Sequence, residues 1–263
     1  MPFTISHAAV AAPLARRGLV LSAVAVGSMA PDFEYFLRLS MQSRWGHSPT
    51  GVLTFCLPVS LLVLWLFHNF LKRPLIATLP TAHRARLAAC AGPFAFGPWP
   101  RFLRIVASIL IGVVSHLFFD AWTHENGFMV EHCALLRQSL LNWPSCPLPV
   151  YEALQAVLSA VMLLAIGVQY WRWLRRTAPA PVPLTTFLDV RRMLAPWAVI
   201  GTVALAAGLA YAAATAPPVR DIFTFRVFGG RVVLASLSML DIEFILFGWF
   251  RSRQPVGAEE NES

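Results

Sequence analysis

The chain has 263 residues, of which 57% are hydrophobic and only 13% charged, and its mean hydropathy is +0.62. Soluble domains carry about 25% charged residues and disordered chains need low hydrophobicity. The composition therefore excludes disorder and argues against an ordinary water-soluble enzyme. The formal net charge of +8 comes from 20 Arg and a single Lys. These residues sit beside apolar runs, where they anchor helices at lipid headgroups, and no basic stripe interleaved with aromatics points to nucleic acid.

The N-terminal stretch does not read as a cleavable signal peptide, because Arg16 and Arg17 interrupt its apolar run and Pro31-Asp32 follows it. Leu19–Ala30 is apolar but too short to span a bilayer. One helix from Ser6 to Ala30 would hold the Arg pair near its middle, at about 2.5–3.5 kcal/mol for each Arg. A short hairpin avoids that cost. Its arms are Ser6–Ala15 and Leu19–Ala30, with a turn at Arg16-Arg17-Gly18, and it returns His7 and Asp32 to one end.

Long stretches without Asp, Glu, Lys or Arg follow, and they predict five spanning helices: Gly51–Leu71, Phe102–Trp122, Tyr151–Trp171, Leu194–Ala216 and Val227–Phe250. Pro58 lies early in the first and is placed to kink it. The expected fold is all-α, a multi-pass integral membrane helical bundle with an N-terminal helical hairpin. Residues 1–150 form the half that carries the candidate site, and residues 151–263 hold three further spans and a polar tail. Ala178–Pro183 reads as a stiff linker and Gln254–Ser263 as the acidic tail. Thirteen basic residues flank the connections on one side and six those on the other. The positive-inside rule then places Lys72–Arg104 in the cytoplasm and turns Asp32–Thr50 and Asp120–Val150 outward.

Ionisable residues gather at that outward face. His116, Asp120 and His124 recur at every fourth position and share one helical face. Alone, His116 reads equally well as an imidazole hydrogen-bonded to a neighbouring helix. With Asp120 one turn on, the pair is an ordinary ligand set for zinc-type ions. Asp32 alone reads as a turn cap, His47 as an interfacial polar residue, and His7 carries little weight by itself. Glu34 is either part of a site or solvated. Topology inferred from Arg and Lys alone nevertheless brings Asp32, His47, Asp120 and His124 to one face, and the hairpin adds His7. Asp241 and Glu243 interrupt the last span on different faces, as a proton or ion relay or as partners of Arg or water. Cys56 reads as an apolar filler, and Cys133 and Cys146 share the outward loop either as a pair or as two thiols.

Several ordered motifs resemble a bacterial membrane family catalogued as a domain of unknown function. They are Met-Pro-Phe-Thr-Ile-Ser-His at the start, Gly-Ser-Met-Ala-Pro-Asp-Phe-Glu-Tyr-Phe around Asp32, Gly-His-Ser at 46–48 and Ser-His-Leu-Phe-Phe-Asp-Ala-Trp-Thr-His at 115–124. Their order also resembles inner-membrane metal-dependent hydrolases of the YdjM type. More distantly it is similar to zinc-dependent phospholipase C and P1-type nucleases. The resemblance implies a divalent metal, zinc, held by His7, Asp32, His47, His116 and Asp120. It makes His124 a second-metal ligand or, with Glu34, a catalytic acid/base. The middle motif departs from the YdjM type, which reads His-Arg-Gly-x-Thr-His where only Gly46-His47-Ser48 remains here. That departure weakens the case for a second metal.

The sequence thus predicts a hydrolase in the cytoplasmic membrane, with its site on the outer side and a lipid or phosphoester substrate. The alternatives are a small transporter or metal-ion carrier, and a non-catalytic protein stabilised by a bound metal.

Overall fold

The computed structural model of the chain describes residues 4–40, 42–141, 147–181 and 187–253. Among the described residues, five helices are long and apolar enough to cross a membrane. They run over Pro49–Ala77, Trp99–Thr123, Val150–Arg176, Phe187–Thr215 and Ile222–Arg253. All five were expected, and each extends about one to two turns beyond a predicted end. Leu62, Trp65, Ile111, Phe118, Leu164 and Leu205 stand exposed on their outer faces. His116 and Asp120 are buried within. This inside-out distribution suits a helical bundle whose solvent is lipid.

The N-terminal hairpin is present. Its first arm is a 3-10 turn over Thr4–Val10 continued as an α-helix over Ala11–Ala15, and its second arm is the helix Leu21–Met29. The chain reverses at Arg16-Arg17-Gly18, where Gly18 takes a left-handed φ of 91°. Both arginines stay exposed, as the cost of burying them requires.

Lipid tails are as apolar as leucine, so helices in a bilayer associate through close van der Waals packing rather than hydrophobic expulsion. The second arm meets the second span in that way. A Cβ on Gly27 would land on the Ile109 carbonyl, and one on Gly112 on the backbone of Val24 and Gly27. Ala23 and Val26 of the arm, with Ala30 just past it, pack there with Ile105, Ile109 and Val113 of the second span and with Cys56 and Leu64 of the first. Cys56 is the apolar filler expected of it, fully buried in this cluster.

The fourth and fifth spans pair with each other; the fifth packs against the first span, and Tyr211 Oη of the fourth donates to the Leu39 carbonyl at 3.1 Å. Ser238 Oγ of the fifth span lies 3.0 Å from the Phe36 carbonyl, in the short helix that follows Asp32, and 2.9 Å from the Leu234 carbonyl, and shares its one proton between them.

Three local features depart from the sequence reading. The first span contains π-helical turns at Val52–Cys56 and Phe67–Leu71, and the first of these ends two residues before Pro58. A widened turn accommodates a proline that lacks an N–H, where a simple kink was expected. The outward loop holds a small antiparallel ribbon, Ser139–Leu141 against Leu148–Pro149. The second span ends at Thr123, so His124 lies just past the helix rather than on it. Cys146, residues 182–183 of the linker and the acidic tail lie outside the described residues.

Candidate metal centre

Four side chains from three parts of the chain converge at one end of the bundle. Asp32 lies in the 3-10 turn that closes the second arm, and His47 lies in the loop before the first span. His116 and Asp120 occupy successive turns of the second span. One ligand atom from each lies within 4.8 Å of the others. His47 Nε2 and His116 Nε2 are each 3.1 Å from Asp120 Oδ2 and 3.3 Å from one another. Asp32 Oδ1 stands 3.5 Å from His116 Nε2 and 3.9 Å from His47 Nε2.

The outer hydrogen bonds decide which atoms face inward. His116 Nδ1 lies 2.8 Å from the Ser28 carbonyl. A carbonyl only accepts, so Nδ1 carries the proton, and in the neutral ring Nε2 presents its lone pair. Ser43 Oγ donates to Glu34 Oε2 at 2.8 Å, which commits its proton. It therefore accepts from His47 Nδ1–H at 2.9 Å, and His47 Nε2 also presents a lone pair. Thr4 Oγ1 donates to Asp32 Oδ2 at 2.7 Å, leaving Oδ1 for the cluster. Two imidazole lone pairs and two carboxylate oxygens thus point at one another. With neutral rings such a set is repulsive unless a cation sits among the atoms, and partners that fix tautomer and orientation are the usual surroundings of metal-ligating side chains. Ligands about 2.0–2.2 Å from a tetrahedral ion lie about 3.4 Å apart, and the five observed separations bracket that value. The residues fit a zinc-type ion.

Burial pushes the Asp32 carboxyl above its ordinary range, with the nearby imidazoles and the Thr4 hydroxyl opposing it. A positive ion in the cluster would hold that carboxylate ionised.

His7 is 3% exposed, its ring centroid 4.0 Å from that of His116. The hairpin delivers it to the site, with Nε2 3.7 Å from Asp120 Oδ1, but it contributes no atom to the four-residue group. Burial lowers its imidazole to about 3, and the neighbouring His116 adds to the effect. His124 Nδ1 lies 3.4 Å from the same oxygen. Asp241 and Glu243 are not members of the group.

Glu34 is 1% exposed, so it is not a solvated surface residue. Its oxygens accept from Arg38, from Ser43 Oγ and from the backbone N–H groups of Arg44, Trp45 and Gly46, at 2.7 to 3.0 Å. Burial alone would raise its pKa. The donors outweigh burial, Gly46 first among them, and hold it at about 2. A carboxylate with this many donors is spoken for. It anchors the loop that carries His47 and orients His47 through Ser43. The sequence could not reveal this clamp, because most of its donors are backbone groups brought together only by the fold.

The fold and the cluster define a multi-pass helical membrane protein with a candidate metal-binding group. The chain belongs to the family described as Domain of unknown function (DUF4184), whose model matches residues 1–247. No curated protein and no solved structure matches it.

Proposed function

We propose that this protein is an integral-membrane, metal-dependent hydrolase acting at the membrane interface on a phosphoester or lipid-linked substrate. The observation that carries the reading is the convergence of four ligand atoms, from Asp32, His47, His116 and Asp120, with outer partners fixing both imidazole tautomers. Zinc suits a set of two imidazoles and two carboxylates. When bound, such an ion supplies Lewis acidity, polarising a phosphoryl or acyl oxygen and making water a stronger acid. The protein's own part is to hold the group rigid and to keep one edge open. The His47 and His124 side chains are 24% and 31% exposed, whereas those of Asp32 and His116 are almost fully enclosed. Substrate would approach along that edge. His124 stands there beside Asp120, in position for proton transfer or for ligation.

The likeness of the ordered His, Pro-Asp, Gly-His and His-x-x-x-Asp motifs to YdjM-type hydrolases supports the same reading. The distribution of basic residues favours the cytoplasmic membrane, with the site on its outer side.

One observation favours a second reading, a metal that only stabilises the fold: four protein ligands close a tetrahedral site, as structural zinc sites are closed. Turnover separates the two. The protein, purified into lipid nanodiscs, is assayed with bis(p-nitrophenyl) phosphate and with short-chain phospholipids. The hydrolase reading expects hydrolysis that a chelator abolishes, zinc restores and His116→Ala lacks. Bound metal with no turnover of any ester would leave the structural reading in its place.

A further inference from the structure

We propose that the basic end of the bundle binds one anionic phospholipid, its headgroup phosphate held between the end of the first span and the start of the second. The inference is independent of the metal centre, which lies at the opposite end of the second span. Its starting point is Lys72, the one lysine of the chain. Lys72 is only 8% exposed, and its ammonium donates to the Gly92 carbonyl. A lysine is almost never so buried unless its charge is paired. Among the described residues no carboxylate pairs with it, and the sequence holds no Asp or Glu between Glu34 and Asp120.

Two arginines add to the same uncompensated charge. Arg73 gives its Nε–H to the Ala91 carbonyl at 3.2 Å, and Arg101 gives its own to the Ala95 carbonyl at 2.6 Å. The three cations therefore grip one stretch, residues 91–95, of the loop between the first two spans. The ends of that stretch lie at most about 14 Å apart. Phe94 fixes the arrangement. Its ring stacks on His68, four residues before Lys72, with centroids 3.9 Å apart, and the Arg101 guanidinium stands 5.2 Å from its centroid. Arg73 and Arg101 are both exposed, and among the described residues their Nη groups have no hydrogen-bond partner. Free Nη donors form a fork that suits phosphate oxygens, and the lysine ammonium adds a point charge beside them.

The position favours the phosphate of a lipid over one in solution. Lys72 and Arg101 stand at the ends of two spanning helices, the depth at which headgroups lie. Trp99 and Leu103 are exposed on either side of Arg101, and indole rings collect at that level. Basic pockets between spanning helices are where anionic headgroups bind. Three cations without a counter-charge complement a lipid of net negative charge. They disfavour a zwitterionic one, whose own ammonium they repel.

The test is a lipid titration of the full-length protein, delipidated in non-ionic detergent, with the melting temperature as readout. Phosphatidylglycerol should stabilise wild type, and neither phosphatidylcholine nor inorganic phosphate should. Arg73→Gln with Arg101→Gln changes two exposed side chains and leaves Lys72 in place, and a cooperative melt without lipid shows that it folds. It should bind phosphatidylglycerol about 30-fold more weakly, each basic residue near a headgroup contributing roughly fivefold. Arg175→Gln with Arg176→Gln removes two exposed arginines from the end of the third span and should bind as wild type does. Equal stabilisation by phosphatidylcholine, wild-type affinity in the Arg73 and Arg101 variant, or an equal loss in the Arg175 and Arg176 variant would overturn the site. Equal stabilisation by inorganic phosphate would overturn the lipid as its occupant.

Discussion

His116 Nδ1 donates to the Ser28 carbonyl at 2.8 Å, tying the second span to the short arm 88 residues earlier in the chain. The bond exists because Gly27 and Gly112 let the two backbones nearly touch one turn away. A methyl group at Gly112 has no room, so Gly112→Ala must push the arm and the span apart. We expect a loss of about 1–3 kcal/mol in stability from overpacking, with weaker zinc binding because His116 loses its orienting partner. Thermal unfolding and zinc titration of the detergent-purified variant check both effects. An unchanged zinc affinity would show that His116 does not depend on Ser28.

Ser43 touches no facing ligand atom except through His47, yet it fixes the tautomer of that ring. Removing such an outer partner typically costs about 10–100-fold in metal affinity. Ser43→Ala should fall in that range, and Ser43→Thr, which keeps the hydroxyl, should recover most of the loss. Equal affinities for all three proteins would remove Ser43 from the account.

Glu34 makes an acid-sensitive contribution to stability. Its carboxyl is held at about 2 in the folded protein against an ordinary value of 4.5. The unfolded chain therefore binds more protons between those values, and stability falls as pH falls through that window. The contribution is complete above about pH 4.5. Glu34→Gln should lose at least about 2 kcal/mol at neutral pH, the scale of hydrogen bonds to a charged group. It should also flatten the acid limb of a melting-temperature profile. A variant with the wild-type profile would assign acid lability to other groups.

The basic residues predict an orientation that labelling can test. Cys90 lies exposed in the basic connection and Arg137 lies exposed in the opposite loop. In proteins with all other cysteines replaced, a membrane-impermeant maleimide should label Arg137→Cys in intact cells. It should label Cys90 only after permeabilisation. The reverse pattern would invert the topology and put the centre on the cytoplasmic side.

The spans were legible because a bilayer punishes charge, so gaps between charged residues mark the helices. The hairpin was legible for the same reason, from Arg16-Arg17 and the shortness of the run after them. His116 and Asp120 could be paired from their four-residue spacing, and the hairpin was enough to bring His7 close. What remained hidden depends on backbone placed by tertiary contact: the Glu34 clamp, the π-helical turns of the first span and the crossing at Gly27 and Gly112. The division of Asp120 between two sets of neighbours was equally hidden, since sequence names a carboxylate and not its two oxygens.

The central claim is that the four facing ligand atoms hold a divalent ion. The most direct measurement is elemental analysis of the protein purified in detergent without chelator or added metal, beside His116→Ala and Asp120→Ala. The account predicts at least one equivalent of zinc or a similar ion in wild type, a large loss in His116→Ala, and the greatest loss in Asp120→Ala. Metal-free wild type that also binds none on titration, or full metal in Asp120→Ala, would contradict it.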